Sequence, residues 1–287
     1  MTDLPPGAPI GHELPTCARH PDRATGLRCT RCERPMCPEC LREASVGYQC
    51  VDCVSSGQRS VRRPVTFTGA AYSPTIVATY ALIAVNVAMF ALTAVLAGSV
   101  VDNQRSDLFA DLVLWPYGVA DGEWWRLVTS GFLHFGPAHI ALNMIALYVL
   151  GRDLEPAFGK VRFLGVYFAS LLGGGVAVYL FGGVNTPVAG ASGAVYGLMG
   201  ALLVALLRRR LNPGSALGVI GLNLVISFSL PGISLLGHLG GLVVGALVAA
   251  GIVYAPAANR NAWQSGAVVA AFALLVVLAV VRTGQLA

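Results

Sequence analysis

Four polar side chains lie within apolar stretches, where polar groups are expensive and therefore functional candidates: His139 with Asn143, then Ser192, then His238. A serine within reach of a histidine supplies a nucleophile and its general base. His139 and Asn143, with the Ser192 backbone N–H, could then donate to the oxyanion of an acyl-transfer transition state, typically worth about 2.7–4 kcal/mol per donor. Tyr196 falls one helical turn after Ser192 on the same face and is the nearest aromatic able to hold an imidazole by packing. A second set of reactive groups lies near the N-terminus. Cys17-x2-His20, Cys29-x2-Cys32, Cys37-x2-Cys40 and Cys50-x2-Cys53 are four two-ligand knuckles, enough for two tetrahedral zinc ions.

The elements that must position these groups follow from composition. The 287 residues are 55% hydrophobic and 11% charged, against roughly 25% charged in a soluble domain. This excludes an ordinary soluble enzyme and leaves a membrane protein. Met1 to Pro15 has neither a basic nor an apolar region, so no signal peptide is expected and the N-terminus is assigned to the cytoplasm. Residues 1–60 are polar and hold all seven cysteines; the composition then changes at Arg59, Arg62 and Arg63. Apolar runs follow at 75–98, 138–151, 161–182, 189–207, 215–232, 235–254 and 263–281, most of them near the ~20 residues that cross a bilayer. The second is short unless Phe132 to Pro137 contributes. With the N-terminus inside, ten cationic residues fall on cytoplasmic segments and three on external ones, which places the C-terminus outside a multi-pass protein of the cell membrane.

In that topology the even-numbered spans enter from the outer face. His139, Ser192 and His238 each lie near a span's start, roughly 6–9 Å below the surface at ~1.5 Å per residue. Gly237, Gly241 and Gly245 in the sixth span, and Gly193 and Gly197 in the fourth, form small faces that let helices approach closely. Taken singly, a membrane serine usually bonds its own backbone and a glycine stripe usually serves packing. Ser170, Ser227 and Ser229 are assigned to that structural class, whereas four polar groups at one depth point to a site. No carboxylate follows Glu155, so a Ser-His-Asp triad is disfavoured and the expectation is a Ser192–His238 dyad with its histidine held by packing.

Seven cysteines cannot all pair, and a cytoplasmic location disfavours disulfides, so metal is the expected staple for a domain too small to bury a sufficient core. The knuckles can pair sequentially or interleave; interleaving puts Cys17, His20, Cys37 and Cys40 on one zinc and Cys29, Cys32, Cys50 and Cys53 on the other. His12 could substitute for His20 but lacks a partner cysteine. Residues 1–63 are formally +2, and about −1 once seven thiolates and two Zn²⁺ are counted, so no nucleic-acid footprint remains. The knuckle spacing resembles the B-box zinc finger, which implies a cross-braced fold and a cytoplasmic protein partner.

The membrane residues resemble the rhomboid family of intramembrane serine proteases. Glu123, Trp125 and Arg126 look like its external Trp-Arg element. His134, His139 and Asn143 keep its H-x4-H-x3-N spacing, Gly190-Ala191-Ser192-Gly193 its nucleophile motif, and His238-x2-Gly241-x3-Gly245 its base-bearing helix. The resemblance covers about 75–255 and implies an all-α polytopic fold with a six-helix catalytic core there; the zinc-binding module at 1–60, a basic linker at 61–74 and an additional transmembrane helix at 256–287 lie outside the shared core. It further implies cleavage of transmembrane protein substrates in or near their helices, without a catalytic cofactor. Ser192 would attack, His238 shuttle the proton, His139 and Asn143 support the oxyanion, and Tyr196 and Gly190 orient substrate and base. Trp124 and Trp125 would sit at the bilayer interface. The competing reading is a non-catalytic rhomboid-like protein that binds transmembrane clients; a transporter would require repeats and midplane charges that are missing.

Overall fold

A computed structural model describes residues 13–61, 64–230 and 232–286. The chain divides into two compact units, residues 1–63 and 64–287. His12, Arg62 and Arg63 lie outside the described residues.

The first unit has almost no hydrocarbon core. Its buried cluster is Cys17, Cys29, Cys37, Cys40 and Cys50 with only Met36 and Leu41. Antiparallel strands β1 (Leu41–Glu43) and β2 (Tyr48–Cys50) pair Leu41 with Cys50 and lead into helix α1 (Val51–Ser60). The first two knuckles are closed by backbone hydrogen bonds, Cys17 N–H donating to the Arg23 carbonyl at 2.8 Å and Cys29 N–H to the Arg34 carbonyl at 3.1 Å, while the last spans the start of α1.

In the second unit every expected apolar run becomes a helix: α2 (Val77–Ala97), then α6 (Gly136–Phe158), α7 (Lys160–Phe181), α8 (Ser192–Arg208), α9 (Gly214–Ser229), α10 (Leu235–Val253) and α11 (Arg260–Leu286). Between α2 and α6 lie three short helices, α3 (Asp107–Leu112), α4 (Pro116–Ala120) and α5 (Arg126–Thr129). By length and composition α2, α7, α10 and α11 can each cross a membrane, and α6 qualifies together with the segment Arg126–Phe132, from which it is bent by 92°. Helices α8 and α9 are apolar but shorter.

Two expected boundaries move for a physical reason. The second run gains only Gly136 and Pro137 from Phe132–Pro137; most of its added length comes at the other end, where α6 continues through Arg152, Asp153 and Glu155 to Phe158. The Glu155 carboxylate is buried, accepting from Ala78 N–H at 2.9 Å, Thr79 N–H at 2.8 Å and the Thr79 hydroxyl at 2.8 Å. It therefore satisfies the free amides at the start of α2, where the helix dipole favours a negative charge. Nor is all of 61–74 a free linker. The buried Thr68 hydroxyl donates to the Phe158 carbonyl at 3.1 Å, and Phe67 packs edge-on against Phe158.

Helices α7, α8 and α10 form the centre of the unit. A Cβ at Gly241 would fall on the Gly193 carbonyl oxygen, and one at Gly245 on the Gly197 backbone. The glycine faces thus do what their spacing suggested, bringing backbone against backbone where lipid offers no hydrophobic drive to hold helices together. Helix α11 is fastened to α7 at both ends. Arg162 donates to the side chains of Gln264 and Asn261 at 2.5 and 2.9 Å, and the hydroxyls of Tyr179 and Thr283 are 2.8 Å apart.

Candidate active site and metal clusters

The three helices that carry the polar residues all begin at the same end of the bundle. Ser192 is the first residue of α8, and His139 and His238 fall in the first turns of α6 and α10. Gly190 adopts φ +133°, a backbone conformation suited to glycine, and its N–H donates to the Ser130 carbonyl at 3.0 Å. This turn delivers Ser192 to the helix start with backbone N–H groups of the first turn unpaired within the helix.

Ser192 Oγ lies 2.8 Å from His238 Nε2, the contact a nucleophile and its base require. The Tyr196 ring stacks on the His238 imidazole with centroids 4.1 Å apart and planes inclined by 14°. The expectation that packing alone holds the histidine is incomplete. Ser227 Oγ on α9 lies 2.7 Å from His238 Nδ1 and 2.8 Å from the Tyr196 hydroxyl. Ser227, placed above in the structural class, thus touches the far side of the imidazole, although it also bonds its own helix as such serines do. Ser170 fits that class fully, donating to the Val166 carbonyl one turn back at 2.6 Å.

His139 Nδ1 accepts from the Phe135 N–H at 3.2 Å, which makes Nε2 the protonated nitrogen. That nitrogen faces Gly190, where a Cβ would lie 2.9 Å from it; a side chain at 190 would close the gap between His139 and Ser192. The Asn143 amide already donates to the His139 carbonyl at 3.0 Å, leaving one amide hydrogen for any other partner. Ser192, His238, His139, Asn143, Tyr196 and Gly190 all line one cavity of about 880 Å³. His134 stands behind them, fully buried, its Nε2 accepting the Ala191 N–H at 3.4 Å.

The segment 99–137 is knit around two polar side chains. Arg126 pairs with Glu123 at 2.6 Å and donates to the Ala110 and Val113 carbonyls at 2.6 and 3.0 Å. Asn103, which sequence reasoning passed over, donates to the His134 carbonyl at 2.9 Å and accepts the Gly136 N–H at 3.0 Å, fixing the entry into α6. Trp124 and Trp125 stay partly exposed, as interfacial aromatics do.

In the first unit the knuckles interleave. Cys17, His20, Cys37 and Cys40 form one cluster and Cys29, Cys32, Cys50 and Cys53 the other, each with its ligand atoms within 4.8 Å of one another. His20 presents Nδ1, at 3.4 Å from both Cys37 Sγ and Cys40 Sγ. The 3.7 Å between Cys32 Sγ and Cys50 Sγ matches an edge of about 3.8 Å in a tetrahedron of 2.3 Å metal–sulfur bonds. Both clusters can therefore hold a metal ion, and the cysteines form no disulfide. Arg34 donates to Cys32 Sγ at 3.5 Å and to Asp52 at 3.0 Å; these two partners hold its guanidinium pKa above the ordinary value.

Fold and site together define a polytopic α-helical membrane protein with a serine–histidine pair in a cavity at one end of its bundle. Residues 121–255 match the Rhomboid domain. Rhomboid protease GluP of Bacillus subtilis is 37% identical over 179 residues, 61% of this chain and 34% of that protein. YdcA of the same species is 35% identical over 136 residues, 46% of this chain and 68% of that protein. Rhomboid protease AarA of Providencia stuartii is 28% identical over 240 residues, 71% of this chain and 82% of that protein. The chain belongs to the rhomboid family. Its match spans about a third of the length of GluP and two thirds of that of YdcA.

Proposed function

We propose that the protein is an intramembrane serine protease that hydrolyses peptide bonds in or near the transmembrane helices of membrane-protein substrates. Family membership and the likeness to the rhomboid proteases GluP and AarA support a rhomboid-type protease, and the Ser192–His238 pair supports its serine chemistry. The observation that carries the dyad is the 2.8 Å contact between Ser192 Oγ and His238 Nε2 within the cavity.

In this mechanism Ser192 Oγ bonds to the scissile carbonyl carbon while its proton passes to His238 Nε2. The oxyanion is met by His139, the free amide hydrogen of Asn143 and the backbone N–H groups at the start of α8. His238 then protonates the amine as the carbon–nitrogen bond breaks, leaving an acyl-enzyme on Ser192. Water attacks that ester, giving up its proton to His238, which returns it to Ser192. A substrate helix must unwind to expose its carbonyl, so segments with glycine, proline or small residues are the preferred substrates. Equal cleavage after replacing those residues by leucine would exclude this preference.

The first unit is assigned two structural zinc ions on its two clusters, which supply the cohesion its small core lacks, and a cytoplasmic protein partner on the strength of its B-box-like spacing. The arginine distribution supports a cytoplasmic N-terminus and an external C-terminus. The decisive assay is cleavage of a single-pass reporter by purified full-length protein. Ser192→Ala and His238→Ala should each lower turnover on the order of 10³-fold or more with unchanged thermal unfolding; retained cleavage in either variant would overturn the dyad.

A further inference from the structure

The hydrogen bonds around Ser227 determine where the His238 proton sits. The Ser227 hydroxyl has one hydrogen and three polar neighbours: the Asn223 carbonyl at 2.7 Å, His238 Nδ1 at 2.7 Å and the Tyr196 hydroxyl at 2.8 Å. The Asn223 carbonyl can only accept, so at that distance Ser227 must donate to it; otherwise two lone pairs would face each other in a buried site. The Ser227 oxygen is then left with lone pairs alone for its other two contacts. Tyr196 meets one of them as a donor. His238 must meet the other, which requires the hydrogen on Nδ1.

We infer that Ser227 is the positioning residue of the catalytic histidine, fixing the tautomer with hydrogen on Nδ1 and a lone pair on Nε2. This inference rests on the protease reading given above. In that tautomer Nε2 faces Ser192 Oγ as an acceptor, which is the state a general base needs. The opposite tautomer would put a hydrogen on Nε2 and leave the nucleophile without a base. In a Ser-His-Asp triad a buried carboxylate does this work by accepting from the far nitrogen. This chain carries no carboxylate after Glu155. A neutral hydroxyl, its own hydrogen committed to a helix carbonyl and a tyrosine donating to it from the side, does the same without a buried charge.

Ser227 is also well placed to hold the ring still. It is 4% exposed, and on α9 it contacts residues of both α8 and α10. The imidazole is thereby fixed on three sides, by Ser192, by Ser227 and by the Tyr196 face. Ser227 touches no reacting atom, so its effect should appear in turnover and not in substrate binding.

The test pairs nitrogen-15 NMR of histidine-labelled full-length protein in detergent micelles with cleavage kinetics on a single-pass reporter. His238 is assigned by difference against His238→Gln. The wild-type spectrum should show hydrogen on Nδ1 and an unprotonated Nε2. Ser227→Ala should mix the tautomers and lower kcat roughly 10- to 100-fold, the worth of one hydrogen bond to a group that becomes charged, with KM within about twofold. Ser227→Thr, which keeps the hydroxyl, should recover the wild-type tautomer and most of kcat. Wild-type His238 carrying its hydrogen on Nε2 overturns the inference without any variant, and so does a Ser227→Ala protein with wild-type tautomer and kcat. Cleavage that survives Ser192→Ala would instead overturn the protease reading, with the tautomer spectrum still deciding the assignment of Ser227.

Discussion

The two units of this chain hold their folds together by different means. Residues 13–61 bury mostly cysteine sulfur, with Met36 and Leu41 as the only other members of the buried cluster, and on the proposed assignment their cohesion comes from ligands converging on metal ions. Residues 64–286 bury backbone against backbone at Gly241 and Gly245 and large apolar side chains around them, so their cohesion comes from close helix contact. The first unit spends its reactive side chains on structure. In the second, a core of large apolar side chains such as Phe158, Phe163 and Tyr167 is supplemented by glycines at the α8–α10 contact, and Ser192, His238 and Ser227 face one another beside it.

The sharpest way to break this contrast is to remove the metal. Chelation of the full-length protein should abolish hydrogen-exchange protection throughout 13–61, because metal binding supplies about 10–16 kcal/mol to modules of this kind. Protection in α7, α8 and α10 should be unchanged; a first unit equally protected with and without chelator would remove the contrast. The converse experiment is Gly241→Val. Its side chain meets the Gly193 carbonyl, which cannot move aside without separating α8 from α10, and a loss of about 3 kcal/mol or more is expected in thermal unfolding of the membrane unit. Metal content of the first unit should stay the same.

Smaller effects sharpen the picture. Glu155→Gln replaces the carboxylate that caps α2 from α6 and should destabilise the membrane unit by about 1–3 kcal/mol, read in a chemical-denaturation curve. The smallest effect concerns Arg34, which donates to two sulfurs of the second cluster, Cys32 and Cys50. Arg34→Met should weaken metal binding there roughly tenfold while leaving the cluster of Cys17, His20, Cys37 and Cys40 unaffected, a difference that competition with a chromophoric chelator resolves.

Most of the architecture could be read from hydropathy, because each of the seven helices is a continuous apolar run with polar punctuation. The end of α6 could not. Arg152, Asp153 and Glu155 look like the end of a span until the amides of Ala78 and Thr79, which Glu155 caps, are brought beside it. The knuckles likewise announced eight ligands, but which four share an ion depends on the β1–β2 pairing and the turns between them. At the candidate active site Ser192, His238, His139 and Tyr196 were legible from depth and spacing. Ser227 was hidden because a serine bonding the carbonyl four residues back is the commonest membrane serine, and Ser227 does that too. One signal was available: in the expected topology α9 ends at the outer face, which places Ser227 at the same depth as His238.

On the proposed mechanism Ser192 is an activated nucleophile because His238 acts as its base. Peptide mapping after treatment of full-length protein with a fluorophosphonate tests it directly. The adduct should form on Ser192, and His238→Ala should slow its formation by about 10²-fold or more, the usual contribution of a positioned general base. Labelling of Ser192 at the same rate in His238→Ala, or no labelling of Ser192 in the wild-type protein, would contradict it.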